Sequence, residues 1–188
     1  MVAGRAGVLE RPAVPPRRFV PLAAGLGALT ALALTWPLPV MLRSAVLEDG
    51  SYDAYQFIWN VWWMCESLVR LHTNPFFTHL LFYPTGIGLL FHTLSASIGL
   101  LSIPLQLVLP GGVLTAHNVL VIAAPALTVV AVALLAREVT GDAWAALVGA
   151  LAAAIDPIAV WFLPVLYLDC LWLPALLVWT WWRAAPVC

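Results

Sequence analysis

The chain has 188 residues, of which 63% are hydrophobic and only 9% are charged. Soluble domains carry about a quarter charged residues, so this surface cannot be coated for water and the apolar excess needs lipid as its solvent. The formal net charge is −1 and arginine is the only basic residue type, which excludes a basic patch for nucleic acid.

Residues 1–18 are rich in Pro and Arg (Arg5, Arg11, Arg17, Arg18), lack periodicity and read as a disordered cytoplasmic tail. The run 19–42 is long enough to span a bilayer once. It is too long for a signal core and shows no small-residue cleavage site, so Arg17-Arg18 reads as a positive-inside anchor rather than a twin-arginine export signal. The polar stretch Ser44–Asp53 then holds Glu48, Asp49 and Asp53. A positive start and an acidic exit predict a cytoplasmic N-terminus with this loop outside.

Residues 54–72 predict a helix. Asp53, Gln56, Asn60, Ser67 and Arg70 fall on one arc at helical spacing, and apolar residues fill the rest. A broad apolar face with a narrow polar stripe suits a helix lying in the membrane interface, or a span whose stripe faces other helices. Asn74-Pro75 ends it. The loop NPFFTHLLFYPTGIGLL follows, punctuated by Pro84 and Gly86. Residues 89–109 are apolar enough to span yet carry His92, Ser95, Ser97, Ser102, Pro104 and Gln106, and Pro110-Gly111-Gly112 stops them.

The clearest helical hairpin comes next. Its first arm, 115–136, ends at Arg137-Glu138. Gly141 stands where a residue just past a helix end belongs, and Asp142 where the next N-cap belongs. The second arm is expected over 143–162, with Ala145, Gly149 and Ala153 as a small-residue face for close helix approach and Asp156-Pro157 breaking its outer end. A last span is expected over 166–182, stopping at Arg183.

Arginine placement tests the topology. Four spans (19–42, 115–136, 143–162, 166–182) put Arg5, Arg11, Arg17, Arg18, Arg137 and Arg183 inside and leave Arg43 and Arg70 outside, six against two. Adding 89–109 alone gives four against four, which the positive-inside rule disfavours. Adding both 54–72 and 89–109 gives seven against one, so six spans remain the alternative. The count thus rejects five spans without choosing between four and six, and the expected fold is all-α: a polytopic transmembrane helix bundle over 19–183, with a large outer loop at 43–113 carrying an interfacial helix in the four-span case, the case that the resemblance given below implies.

Glu48, Asp49 and Asp53 are three of the nine acidic residues and lie within six positions. Carboxylates at a membrane surface can serve as a general base or hold a divalent cation that neutralises phosphate. The competing reading of Glu48 and Asp49 is a solvated loop. That of Asp53 is an N-cap, a role asparagine and aspartate fill at about 1 kcal/mol. Asp53 stands out because it starts the helix and shares its polar arc with Gln56 and Asn60. His72, His79 and His92 match no zinc spacing, but His92 is embedded in an apolar run and needs a partner. Asp156 and Asp169 sit near outer span ends. Cys65, Cys170 and Cys188 fit no metal spacing and read as apolar fillers, with a Cys65–Cys170 bridge as the minor alternative. Trp59, Trp62 and Trp63, and again Trp172, Trp179, Trp181 and Trp182, cluster as interface markers do. There is no GxSxG, Walker loop or GxGxxG.

Asp53 followed by Trp59 and Trp63, then NPFFTHLLFYPTGIGLLFHTLS, AHNVL, REVTGDAWAALVGALAAAIDP and LWLP, occur in a recognisable order. Over about residues 30–182 this resembles the N-terminal part of bacterial membrane glycosyltransferases of the GT-C type, and it is similar to the group called RgtA/B/C/D-like or YfhO-like. The resemblance implies transfer of a sugar from a polyprenyl-phosphate carrier to an acceptor at the outer face of the inner membrane. It also implies an essential acid in the first outer loop. Asp53 matches that acid, with Glu48 and Asp49 as rivals, acting as base towards the acceptor hydroxyl or as ligand to a divalent cation. His92 and Tyr83 match the FYP…FH stretch and would shape the lipid-phosphate site. Members of the group are longer and carry more spans, so this chain is expected to be a front portion, or to need other membrane subunits. A non-catalytic membrane scaffold or assembly subunit is the alternative. A small transporter is disfavoured, since no paired broken helices appear in related halves.

Overall fold

The computed structural model describes residues 16–48, 53–164 and 171–184. Asp49, Asp169, Cys170, Cys188 and the stretch 1–15 lie outside the described residues. The chain is mostly helical, in the order α1 (Pro16–Thr35), α2 (Asp53–Cys65), β1 (Phe77–Thr78), β2 (Ile87–Gly88), α3 (Ala96–Val108), α4 (Gly112–Thr140), α5 (Ala143–Ala154), α6 (Pro157–Trp161) and α7 (Trp172–Ala184).

Among the described residues two helices are long and apolar enough to cross a membrane, α1 and α4. At 1.5 Å per residue, the 29 residues of α4 extend roughly 44 Å, more than the ~30 Å hydrocarbon thickness of a bilayer. By the same rise α5, with 12 residues, and α7, with 13, each cover only about 20 Å or less. The second arm of the hairpin is thus shorter than the expected 143–162. Its helix stops at Ala154, and Asp156 restarts the chain as the N-cap of α6, its Oδ1 accepting from the N–H of Ile158 at 2.9 Å and Ala159 at 3.3 Å. Apolar composition continues through this break, which is why the sequence reads as one run. The cap also gives Asp156 an ordinary structural role.

α4 is the axis of the fold. α1, α5 and α7 pack along it. The α4–α5 turn forms as expected: Gly141 is left-handed (φ 69°), its N–H donates to the Arg137 carbonyl at 2.9 Å, and Asp142 Oδ1 caps α5 through the N–H of Trp144 at 2.7 Å and Ala145 at 3.1 Å. One core joins Phe19 and Ala23 of α1 to Val129 and Ala133 of α4 and to Ala146, Leu147, Ala150 and Ala154 of α5. The small-residue face that meets α4 is therefore Ala146–Ala150–Ala154. Of the expected face, Ala145 and Gly149 are exposed and Ala153 is half-buried, and nothing lies within 4 Å of a Cβ built on Gly149. Both sets repeat every fourth residue, so spacing alone does not choose between them. Where α1 crosses α4, Gly27 gives the close approach: a Cβ there would lie 2.6 Å from the Ala126 carbonyl oxygen.

α1 and α4 run antiparallel. At one end the Arg137 guanidinium sits over the Phe19 ring, 4.2 Å from its centroid. At the other, Asn118 Nδ2 donates to the carbonyls of Leu42 and Ala45, at 2.9 and 2.8 Å. The segment leading to Glu48 is thus clamped at the end of the helix pair opposite Arg17, Arg18 and Arg137.

A cap built from α2, the β1–β2 hairpin and α3 rests on that second end. The predicted helix over 54–72 forms as α2 and continues as one π-helical turn, Glu66–Arg70. α3 has 13 residues, about 20 Å, so the apolar run 89–109 is not one continuous span-length helix. α3 packs on α2, and Gln106 Nε2 donates to the Val61 carbonyl and to Ser102 Oγ, both at 2.9 Å. The loop between them holds a two-residue antiparallel pairing, Phe77 with Gly88 and Thr78 with Ile87, too short to show alternation in sequence.

Candidate functional site

The polar arc expected on α2 forms, exposed at its ends (Asp53, Gln56, Arg70) and buried in the cap at its middle (Asn60, Ser67). Asp53 opens the helix. One turn on, Gln56 Nε2 donates to Thr93 Oγ1, and a further turn on, Asn60 Nδ2 donates to the Thr93 carbonyl at 2.8 Å. Asn60 and Ser67 are buried, and Ser67 Oγ donates back to the Trp63 carbonyl at 2.7 Å. Residues three and four apart share a helix face, so the side chains that hold Thr93 lie on the side of α2 that starts with Asp53.

The segment they hold contains His92. It is half-buried, with the Trp59 ring edge-on at 6.3 Å between centroids. The backbone turns tightly there: the His92 N–H donates to the Leu89 carbonyl at 3.1 Å, and the Leu94 N–H to the His92 carbonyl at 2.7 Å. Ser95, at φ 44°, then starts α3. Three polar atoms at this junction are buried with no hydrogen-bond partner: His92 Nδ1, Asn60 Oδ1 and Ser95 Oγ. Buried polar groups are normally paired, so unpaired ones gathered within one junction are chemically available to a small polar group or water.

Of the residues expected to form the site, Gln56 and Asn60 lie on the helix that Asp53 begins and hold Thr93, the chain neighbour of His92. Tyr83 is not part of this junction. It stands at the outer turn of the hairpin with 84% of its surface exposed. Glu48 is half-buried at the far end of α1, where it lines a cavity of about 480 Å³ walled by Leu34, Leu47, Ile155, Val160 and Trp161. Asp49 lies outside the described residues. Among the described residues no three His, Cys, Asp or Glu side chains converge on a metal-sized site, so the expected divalent cation finds no ready-made ligand set there.

Several positions that shape this end of the fold escape sequence reasoning. Thr93 is the hinge of the junction, yet a lone Thr after FH carries no signal. Asn118, fully buried, positions the acid-bearing segment through two backbone carbonyls 76 and 73 residues away in sequence. Its neighbour His117 is 1% exposed with Nδ1 unpartnered. The polar pair inside the apolar run of AHNVL is the signal that could have found both. Trp59, Trp62 and Trp63 pack on one another; Trp63 lies in the core of the cap with Met64, Leu89 and Leu94, and Trp59 and Trp62 are half-buried against it.

No known protein-family profile, no curated protein and no solved structure matches this chain.

Proposed function

We propose that the chain is the membrane-embedded front of a glycosyltransferase that takes a sugar from a polyprenyl-phosphate carrier and passes it to an acceptor at the outer face of a bacterial inner membrane. The N-terminus faces the cytoplasm in this reading. α1 and α4 make two of about four spans, and α5–α6 and the segment ending in α7 make the others. Lipid covers their outer faces, and further membrane subunits, or further chain, complete the donor cavity.

The observation that carries the reading is the stapling of α2 to the 89–95 turn through Thr93. It joins the helix of Asp53, Gln56 and Asn60 to His92, at the end of the helices away from Arg17, Arg18 and Arg137. Asp53 acts as the base. The acceptor hydroxyl gives its proton to the carboxylate, its oxygen bonds to C1 of the sugar, and the C1–O bond to phosphate breaks with its electron pair leaving on the polyprenyl phosphate. Gln56, Asn60 and His92 orient the polar groups around that reaction. Glu48 and Asp49 are the rival acids.

The test is Asp53→Asn in the full-length context, with glycan product as the readout. Loss of a general base lowers the rate by about 10²–10⁴-fold. Unchanged product from this variant, with loss on Glu48→Gln or Asp49→Asn, would assign the acid elsewhere. Unchanged product from all three would leave a non-catalytic scaffold as the better account.

A further inference from the structure

A second site lies further along α2. Where α2 passes into its π turn, a cavity of about 490 Å³ opens between the helix and the hairpin, large enough for a sugar ring or two. Its helix wall is Trp62, Trp63 and Glu66, and its hairpin wall is Asn74, Phe77 and His79. We infer that this cavity binds a neutral pyranose ring, independently of whether Asp53 is the base of a transfer reaction.

The wall is built, not incidental. The Trp63 indole N–H donates to the Pro75 carbonyl at 2.8 Å, fixing that ring as a floor, while Trp62 is the more open of the two. Phe77 and His79 meet edge-to-face at 4.9 Å between centroids. Gly86 lets the returning strand press against them. It has φ 72°, and a Cβ there would lie 2.7 Å from Phe77 Cζ, 2.7 Å from the Thr78 carbonyl oxygen and 2.9 Å from His79 Nδ1. This is the physical content of the PTG turn.

The polar groups suit hydroxyls. His79 Nδ1 lies 3.2 Å from the Pro84 carbonyl oxygen. A carbonyl only accepts, so Nδ1 carries the proton, and in the neutral ring Nε2 is left as an acceptor. Asn74 Oδ1 accepts from the Phe76 N–H at 2.9 Å, which leaves its amide NH₂ to donate. Glu66 is 19% exposed in its side chain and its Oε2 accepts from Arg70 Nη1 at 3.0 Å. That ion pair separates two candidate ligands. An aromatic cage with an unpaired carboxylate suits a quaternary ammonium. Here Arg70 already neutralises Glu66, so a cation gains little. An uncharged ring gains an indole face for its C–H surface and donors and acceptors for its hydroxyls.

Saturation-transfer NMR on the intact protein in lipid nanodiscs tests this with methyl glucoside, methyl galactoside, methyl mannoside and choline as probes. Transfer to the C–H face of at least one pyranoside is expected. It should fall about two- to tenfold in Trp62→Ala, the worth of one aromatic contact, and be kept in Trp62→Phe. His79→Ala, on the exposed hairpin wall, should weaken it as well and does not disturb the cap core. No transfer to any pyranoside overturns the inference. So does transfer unchanged by Trp62→Ala and His79→Ala, and so does transfer to choline alone, which would make the cavity a cation cage.

Discussion

The helix cluster around α4 and the cap around α2 hold together by different means. In the cluster, contact is made by Ala and Gly: Ala146, Ala150 and Ala154 against Val129 and Ala133, and Gly27 against the backbone of Ala126. In the cap, contact is made by stacked and tilted indoles and by side chains that bind distant backbone: Asn60 to Thr93, Trp63 to Pro75, Gln106 to Val61. The difference is the one expected if, as proposed, lipid surrounds the helix cluster and the cap lies near water. Apolar side chains gain nothing by leaving lipid for one another, so helices there associate through close backbone approach. Near water, aromatic burial and satisfied polar groups fix geometry. The cap is accordingly where side chains are held in defined positions, and where chemistry is placed in the proposed function.

The largest effect is expected where the two regions meet. Asn118 lies on α4 but holds the carbonyls of Leu42 and Ala45. Asn118→Leu removes the donor to both carbonyls and leaves them unsatisfied, a loss of about 2–6 kcal/mol at ~1–3 kcal/mol per unsatisfied group. Proteolysis near 42–48 should accelerate while the α4–α5 hairpin stays protected. Equal loosening of both would mean the two regions are one cooperative unit.

A smaller loss confined to the helix cluster is expected for Gly27→Ala. The new Cβ would sit 2.6 Å from a backbone oxygen, so α1 and α4 must part, at about 1–3 kcal/mol. Gly25→Ala is the matched control on the same helix: nothing lies within 4 Å of its Cβ, and replacing a helical Gly there should gain up to ~1 kcal/mol. Thermal unfolding of both variants in one detergent reads the difference. If the two shift together, α1 does not cross α4 at Gly27.

The choice of face on α5 makes a still narrower comparison. Ala146→Val places two methyls in a filled core, at about 1–2 kcal/mol, whereas Ala145→Val faces outward and should change stability by less than ~0.5 kcal/mol. Both carry the same helix-propensity change, so it cancels. The reverse order would restore Ala145–Gly149–Ala153 as the packing face.

These contrasts also mark how far the sequence could be read. The α4–α5 turn was legible because Gly141 and Asp142 act through local backbone chemistry, and the break at Asp156-Pro157 for the same reason. The arc of Asp53, Gln56 and Asn60 was legible because helical spacing brings it to one side. Helix ends inside apolar runs were not: composition stays apolar past Ala154 although hydrogen bonding stops. The packing face of α5 was not, since two alanine-rich registers repeat alike. The junction at Thr93 and the clamp at Asn118 depend on contacts tens of residues apart, and the wall at Gly86 depends on a fold of the loop that no periodicity announces.

The smallest effect concerns Cys65, at the end of α2. Burial raises its thiol pKa above the usual value; Arg70 opposes this and Glu66 adds to it. The folded state therefore holds the proton more tightly than the unfolded chain. Stability from this group is complete below the ordinary thiol pKa and is lost as pH rises through the folded value, so alkaline conditions weaken the cap before they touch the α4 cluster, where Cys65 has no counterpart. Maleimide labelling reads the same linkage directly. The thiolate is the nucleophile, so Cys65 should label slowly at neutral pH in the folded protein and rapidly in denaturant, with the contrast narrowing as pH climbs. Arg70→Gln sharpens the test. Removing the one cation that lowers the thiol pKa should slow labelling further, and faster labelling would show that access through a loosened π turn, not thiolate formation, sets the rate.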